Sequence, residues 1–165
     1  MRSFEFALKK DSDEKMYEMA QLPEYQTLHS AGADFFCAEE IVVPSMISQL
    51  KEGVEIKPTL VHTGIKACMK EDEVLELYNR SSNPNKRGLI LANSVGVIDA
   101  DYYNNPDNDG EIMFAFYNFS SEAVTIKVGE RIGQGVFKKF LRPDKGLRVK
   151  NKVREGGHGS TNKEA

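Results

Sequence analysis

The chain has no tryptophan, only two cysteines and three histidines among 165 residues, and no long apolar run. Each scarcity excludes something. Cys37 and Cys68 do not make a disulfide scaffold, so a cytoplasmic setting is expected and both thiols read as small buried hydrophobes. With so few cysteines and histidines and no zinc-type spacing, structural zinc is disfavoured. A membrane helix needs about 20 apolar residues in a row, and none is found. The opening Met1-Arg2-Ser3-Phe4-Glu5 is not expected to be a secretory signal, because an acid interrupts it at once. What is there is ordinary for one globular domain with a real core: 40% hydrophobic and 28% charged residues.

The net charge of −3 conceals an asymmetry. Eight basic residues and one acid, Asp144, lie between Lys138 and Arg154. A basic stretch on an acidic body suggests an anionic ligand near the end of the chain, although a solvated tail gives the same composition.

Strand patterns dominate. Phe4, Phe6 and Leu8 alternate with Glu5 and Ala7, and Val124, Ile126 and Val128 alternate with Thr125 and Lys127. That period of two predicts half-buried strands. Ile112–Tyr117 is apolar on both faces and predicts a central strand, with Val74–Tyr78 and Leu89–Leu91 as shorter ones. One short helix is predicted near the start. Asp11 and Glu14 resemble a capping box, Met16, Met19 and Ala20 would share a packed face, and Pro23 would end it. Frequent Gly and Pro between short strands indicate an all-β sandwich or barrel. Asn104–Gly110 reads as a loop or hairpin tip. The expected organisation is one β domain over residues 1–150, with an extra helix and loop at 11–30, followed by a flexible Gly-rich arm at 151–165.

Five segments carry candidate chemistry: Ala31-Gly32-Ala33-Asp34, Arg80-Ser81-Ser82, Asn93 to Tyr102, Arg131-Ile132-Gly133-Gln134, and Arg154 to Thr161. In the last, Gly156, Gly157 and Gly159 with Ser160 and Thr161 let the backbone and two hydroxyls approach an anion, and Arg154 adds a forked donor. It is not a P-loop pattern, and alone it would equally suit a disordered Gly/Ser tail. In the third, a straight strand would put Asp99 and Asp101 on one face and Tyr102 on the other. Asp99 could then hold a water and Tyr102 meet a sugar only if the chain turns there. Alone, the same residues suit a hairpin with solvent-facing acids. His62 lies in a strand-like segment and reads as a satisfied structural histidine, and His29 has no evident partner.

Together, the order, residue types and separations of the five segments resemble the five motifs of the trimeric dUTP pyrophosphatase (dUTPase) family, from Ala31 to Thr161. The resemblance implies an all-β, distorted jelly-roll that forms a homotrimer with three shared sites. It implies Mg²⁺-dependent hydrolysis of dUTP to dUMP and pyrophosphate, which limits uracil in DNA and supplies dUMP for dTTP synthesis. By that resemblance Asn93 and the backbone at Gly96, Val97 and Ile98 read the uracil edge, and Met113 closes the uracil pocket. Tyr102 packs under the deoxyribose and leaves no room for a 2′-hydroxyl. Asp99 is the general base. Arg80, Ser81, Ser82 and Gln134 bind phosphates, Arg131 is structural, and Asp34 either meets the metal through water or braces the site. The metal is held mainly by substrate phosphates. Arg154, His158, Gly159, Ser160 and Thr161 close over the substrate.

There are departures. His158 stands where the family usually has an aromatic residue, Ala33 where Tyr is frequent, and Gly133 where Ala is frequent. The loop from Asn104 to Asp109 and the stretch from Asp11 to Ser30 are longer than typical. Two rival readings fit less well. A dCTP deaminase shares the fold but carries a Trp-containing segment with a catalytic Glu, whereas this chain has Gly96-Val97-Ile98-Asp99-Ala100-Asp101-Tyr102. A non-catalytic trimer could bind a protein partner through the N-terminal insertion, but would not need all the site residues kept together. No membrane association and no specific nucleic-acid binding are expected, and salt-dependent binding would be the mark of the latter.

Overall fold

The structure is a computed structural model and describes residues 1–146. The expectations for Arg154, His158, Gly159, Ser160 and Thr161 therefore lie outside the described residues. Eleven strands and two short helices are described: β1 Ser3–Phe6, β2 Ala33–Phe36, β3 Ile41–Val43, α1 Met46–Glu52, β4 Thr59–His62, β5 Ile65–Cys68, β6 Glu73–Asn79, α2 Ser82–Arg87, β7 Leu89–Leu91, β8 Gly96–Asp99, β9 Met113–Asn118, β10 Val124–Ile126 and β11 Arg131–Lys139. A single 3₁₀ turn, Ala100–Tyr102, follows β8 directly.

Every strand pair is antiparallel. The sheets run β2-β11-β6-β8, β4-β9-β7, β1-β5 and β10-β3. The architecture is an all-β, distorted jelly-roll. β9 is the central strand foreseen from its two-sided apolar run, flanked by β4 and β7. The inward faces meet in one cluster that includes Phe35, Leu75, Leu77, Leu89, Ile112, Phe114, Phe116 and Ile132. Rings chain through it: Phe4 packs edge-on to Phe35 at 5.3 Å, and Phe35 meets Phe114 at 5.6 Å. Removing one such ring would cost about 3–5 kcal/mol. Among the described residues no helix is long and apolar enough to cross a membrane.

The helix predicted from Asp11 to Pro23 is absent. Asp11 adopts a left-handed backbone (φ 57°), which no helical turn accepts. The segment instead folds back on itself: Lys9 N–H donates to Glu14 O at 2.9 Å, Met16 N–H to Ala7 O at 2.7 Å, and Leu8 bridges Lys15. Ser12 Oγ, not Asp11, accepts the N–H of Glu14. Short polar side chains here satisfy a turn in competition with a helix. Met19 is exposed rather than on a packed face, whereas Ala20 is buried against the corner at Gly64.

The two helices that do form lie elsewhere. α1 is capped by Ser45, whose Oγ accepts Ser48 N–H at 3.3 Å, and ends at Gly53 in the left-handed region. α2 carries Pro84 in its first turn, where the missing N–H has no helical acceptor to lose.

Candidate functional site

Alternation along β11 is interrupted once, and the interruption builds the first half of the site. The register with β2 runs Arg131 to Phe36 and then Gly133 to Phe35, so Ile132 is the extra residue of a bulge. In a regular strand, residues 131 and 134 would face opposite ways. The bulge lets both reach one carboxylate. Arg131 Nη1 lies 3.1 Å from Asp34 Oδ2, and Gln134 Nε2 donates to Asp34 Oδ1 at 2.9 Å. Asp34 is buried, so these donors offset its desolvation. Arg131 also receives the second segment through its backbone: Arg80 Nη1 donates to Arg131 O at 2.9 Å. Beneath, buried Asn83 donates to Ile132 O and to Asn79 Oδ1. Ser81 is exposed and Ser82 half-buried at the start of α2. Asp34, Arg80, Arg131 and Gln134 thus form one connected group.

The neighbouring glycines are dictated by the core. A Cβ on Gly133 would stand 2.0 Å from Phe114 Cε1, and one on Gly135 would stand 2.6 Å from Phe35 Cε2. Gly133 in this chain is therefore tied to the ring of Phe114.

The second half is a hairpin-like turn. Asn93 is exposed between β7 and β8, and its carbonyl accepts Val95 N–H at 2.6 Å. Ser94 takes a left-handed backbone, φ 61°. β8 then pairs with β6, with Gly96 and Ile98 on the core side and Val97 and Asp99 on the outer side. Asp99 is exposed at the last strand position, and the chain turns immediately into Ala100–Tyr102. The turn that the sequence required for Asp99 and Tyr102 to serve one ligand is present. Tyr102 is 5% exposed, and its hydroxyl accepts Asn108 Nδ2 at 2.8 Å. Met113 is half-buried and opens β9 opposite His62, in the other sheet.

The two halves are not brought together within one chain. Register places Asp34, Gln134, Tyr78, Val74 and Asp99 on the outer face of the four-stranded sheet. Asp99 sits two strands and four residues from Gln134, and three strands from Asp34. At ordinary strand spacings those separations are roughly 16 Å and roughly 20 Å.

Sequence reasoning did not find the polar braces. His62 Nδ1 lies 3.1 Å from buried Glu111, its ring packs tilted against Tyr17 at 5.2 Å between centroids, and its Nε2 has Glu39 at 3.9 Å. The hydrogen bond that the His62 ring donates to Glu111 raises the His62 pKa above its ordinary value. His62 is therefore the satisfied structural histidine its position suggested. Lys66, also buried, binds Asn104 and Asp109. Among the described residues no three His, Cys, Asp or Glu side chains converge on a cation. Cys37 is buried and Cys68 half-buried; burial raises the Cys37 thiol to about 11.

A family model described as dUTPase matches residues 18–162. The deoxyuridine 5′-triphosphate nucleotidohydrolase of Lactococcus lactis subsp. lactis (strain IL1403) is 49% identical over 140 residues, covering 85% of this chain and 87% of the relative. A crystal structure of dUTPase from Streptococcus mutans superposes with a TM-score of 0.70 at 43% identity, over 86% of this chain and 98% of that one. A mutant dUTPase from phage phi11 of S. aureus, described with a structural Mg(II) ion, shares the fold at 18% identity, with a TM-score of 0.64 over 92% and 97% of the two chains.

Proposed function

This chain belongs to the dUTPase family, and on that premise we propose that it hydrolyses dUTP to dUMP and pyrophosphate by attack of water on the α-phosphorus. Such an activity limits uracil incorporation into DNA and supplies dUMP for dTTP synthesis, which suits a cytoplasmic enzyme. The observation that carries the reading is the turn at Asp99, which leaves an exposed carboxylate at a strand end one short turn from Tyr102.

The roles follow from chemistry. Asp99 orients and deprotonates the attacking water, a role worth about 10²–10⁴ in rate. Asn93 and the backbone of Gly96, Val97 and Ile98 read the uracil edge, and Met113 closes that pocket. Tyr102 backs the deoxyribose and excludes a 2′-hydroxyl, so UTP is rejected by a clash rather than by weaker attraction. Arg80, Ser81, Ser82 and Gln134 take the phosphates. Asp34 already receives Arg131 and Gln134, which favours bracing over contact with the metal through water. Mg²⁺ fits as an ion held mainly by the substrate phosphates, since Asp34 is engaged and the described residues offer no protein cage. When bound, it neutralises charge on the leaving pyrophosphate.

Within one chain the two halves stand roughly 16–20 Å apart. A homotrimer resolves it: the hairpin of one subunit meets the Asp34–Arg80–Gln134 group of its neighbour. Residues 1–150 form the β domain. Residues 151–165 close over the site, with Arg154, Ser160 and Thr161 on the terminal phosphates, His158 against uracil and Gly159 allowing close approach.

The test is pyrophosphate release with Mg²⁺ from dUTP, UTP, dCTP and dTTP. Strong preference for dUTP is expected, and similar turnover of all four would sink the pocket argument. Truncation before Arg154 should cripple turnover while the trimer, read by light scattering, persists.

A further inference from the structure

The loop Tyr103–Gly110 is built as a buttress for Tyr102. Its root is tied down at several points. Tyr103 donates its hydroxyl to Glu5 at 2.6 Å, which pushes the phenol up to about 12. Lys66 Nζ, on buried β5, donates to Asn104 Oδ1 at 2.7 Å and to Asp109 Oδ2 at 2.8 Å. The same Asp109 oxygen accepts Leu8 N–H at 2.8 Å. Asn104, Asp109 and Gly110 all take left-handed backbone, so the loop has one shape to return to. Two of its residues then press on Tyr102. Asn108 Nδ2 donates to the Tyr102 hydroxyl at 2.8 Å, while Asn108 Oδ1 accepts Gly110 N–H at 3.2 Å. Gly110 packs so closely that a Cβ would stand 2.4 Å from Tyr102 O.

We propose that Asn108 is a positioning residue for sugar discrimination. Through its amide it fixes the Tyr102 ring, and the Lys66–Asp109 pair holds Asn108 in register. This rests on the reading above that Tyr102 backs the sugar. A ring that excludes a hydroxyl by contact works only if it cannot yield, because a shift of an ångström admits the extra oxygen. The loop is the part of the hairpin region that supplies stiffness, and Asn108 is its contact with the phenol.

The experiment measures kcat/KM for dUTP and for UTP, with Mg²⁺ and the full chain, in Asn108→Ala, Tyr102→Phe, the double variant and Tyr102→Ala. Loss of one hydrogen bond corresponds to about fivefold, so Asn108→Ala and Tyr102→Phe should each lower the dUTP/UTP ratio by about that factor. The double variant should lose no more than Tyr102→Phe alone, because Asn108→Ala then removes a contact the phenylalanine has already lost. A merely structural Asn108 would lower both substrates together and leave the ratio intact. An unchanged ratio in Asn108→Ala, alongside a collapsed ratio in Tyr102→Ala, overturns the inference and leaves the sugar reading standing. An unchanged ratio in Tyr102→Ala overturns the sugar reading itself. Should Asn108→Ala fold poorly, Tyr102→Phe interrogates the same contact from the acceptor side, and an unchanged ratio there overturns the inference.

Discussion

Asp34 and Asp99 lie on one face of one sheet, but the segments that carry them are made in different ways. The first is assembled by strand register and a bulge, and its carboxylate is buried and satisfied by Arg131 and Gln134. The second is assembled by turns, with Asn93, Val97 and Asp99 exposed and Ser94 in left-handed backbone. A buried group resists change and punishes it through stability. An exposed one tolerates change in the fold and punishes it through activity.

Four changes would break or sharpen that contrast. The largest effect is expected at the exposed end. Asp99→Asn should lower dUTP turnover by a factor on the order of 10²–10⁴, with the melting temperature moved by no more than about 4 °C. A large drop in melting temperature would erase the distinction. Next comes the strand side. Gly133→Ala should destabilise by about 1–3 kcal/mol in urea denaturation, since its Cβ meets Phe114, and Phe114→Leu in the same chain should recover part of that. A neutral Gly133→Ala would mean the close approach is no constraint.

Asp34→Asn should cost somewhat less, about 1–2 kcal/mol, because the buried side chain keeps one acceptor for Gln134 while Arg131, 41% exposed, can turn to water. The effect should appear in stability as well as in turnover. Loss of turnover alone would move Asp34 from bracing to a role at the metal.

The smallest effect is a pH trend. His62 has a folded pKa raised above 6.5, first by its hydrogen bond with Glu111 and further by the charges of Glu111 and Glu39. Its contribution to stability is full below the unfolded value and is lost as pH rises through the folded one. Denaturation across roughly pH 5.5 to 8.5 should show that loss, and His62→Gln should flatten it. A slope of opposite sign would contradict the protonated pairing.

The strands were legible because their periods are local: Phe4/Phe6, Val74–Tyr78, Leu89–Leu91, Ile112–Tyr117 and Val124/Ile126 all fall in or against strands. The helices were not. Asp11 to Pro23 has helix-like spacing, but turn bonds from Ser12 and the left-handed Asp11 win over it. α1 escaped notice because it buries none of its residues: Ile47 and Leu50 face outward, so no apolar stripe marks it. In α2, Pro84 read as a breaker although it occupies a permitted first-turn place. The five candidate segments were legible as residue types at set separations. Their braces were not, because Lys66 with Asp109, His62 with Glu111 and Arg80 with Arg131 join positions 43, 49 and 51 residues apart.

The N-terminal segment also does something for β2 that concerns neither substrate nor stability. β2 is the outermost strand of its sheet, and all four of its residues are buried. Glu24, just after Pro23, exchanges both backbone hydrogen bonds with Asp34, at 3.1 and 2.8 Å. An open apolar strand edge is a template onto which other chains add. Here that edge is occupied by the protein's own chain, so a version trimmed to residue 30 would face self-association and precipitation before any question of catalysis arose.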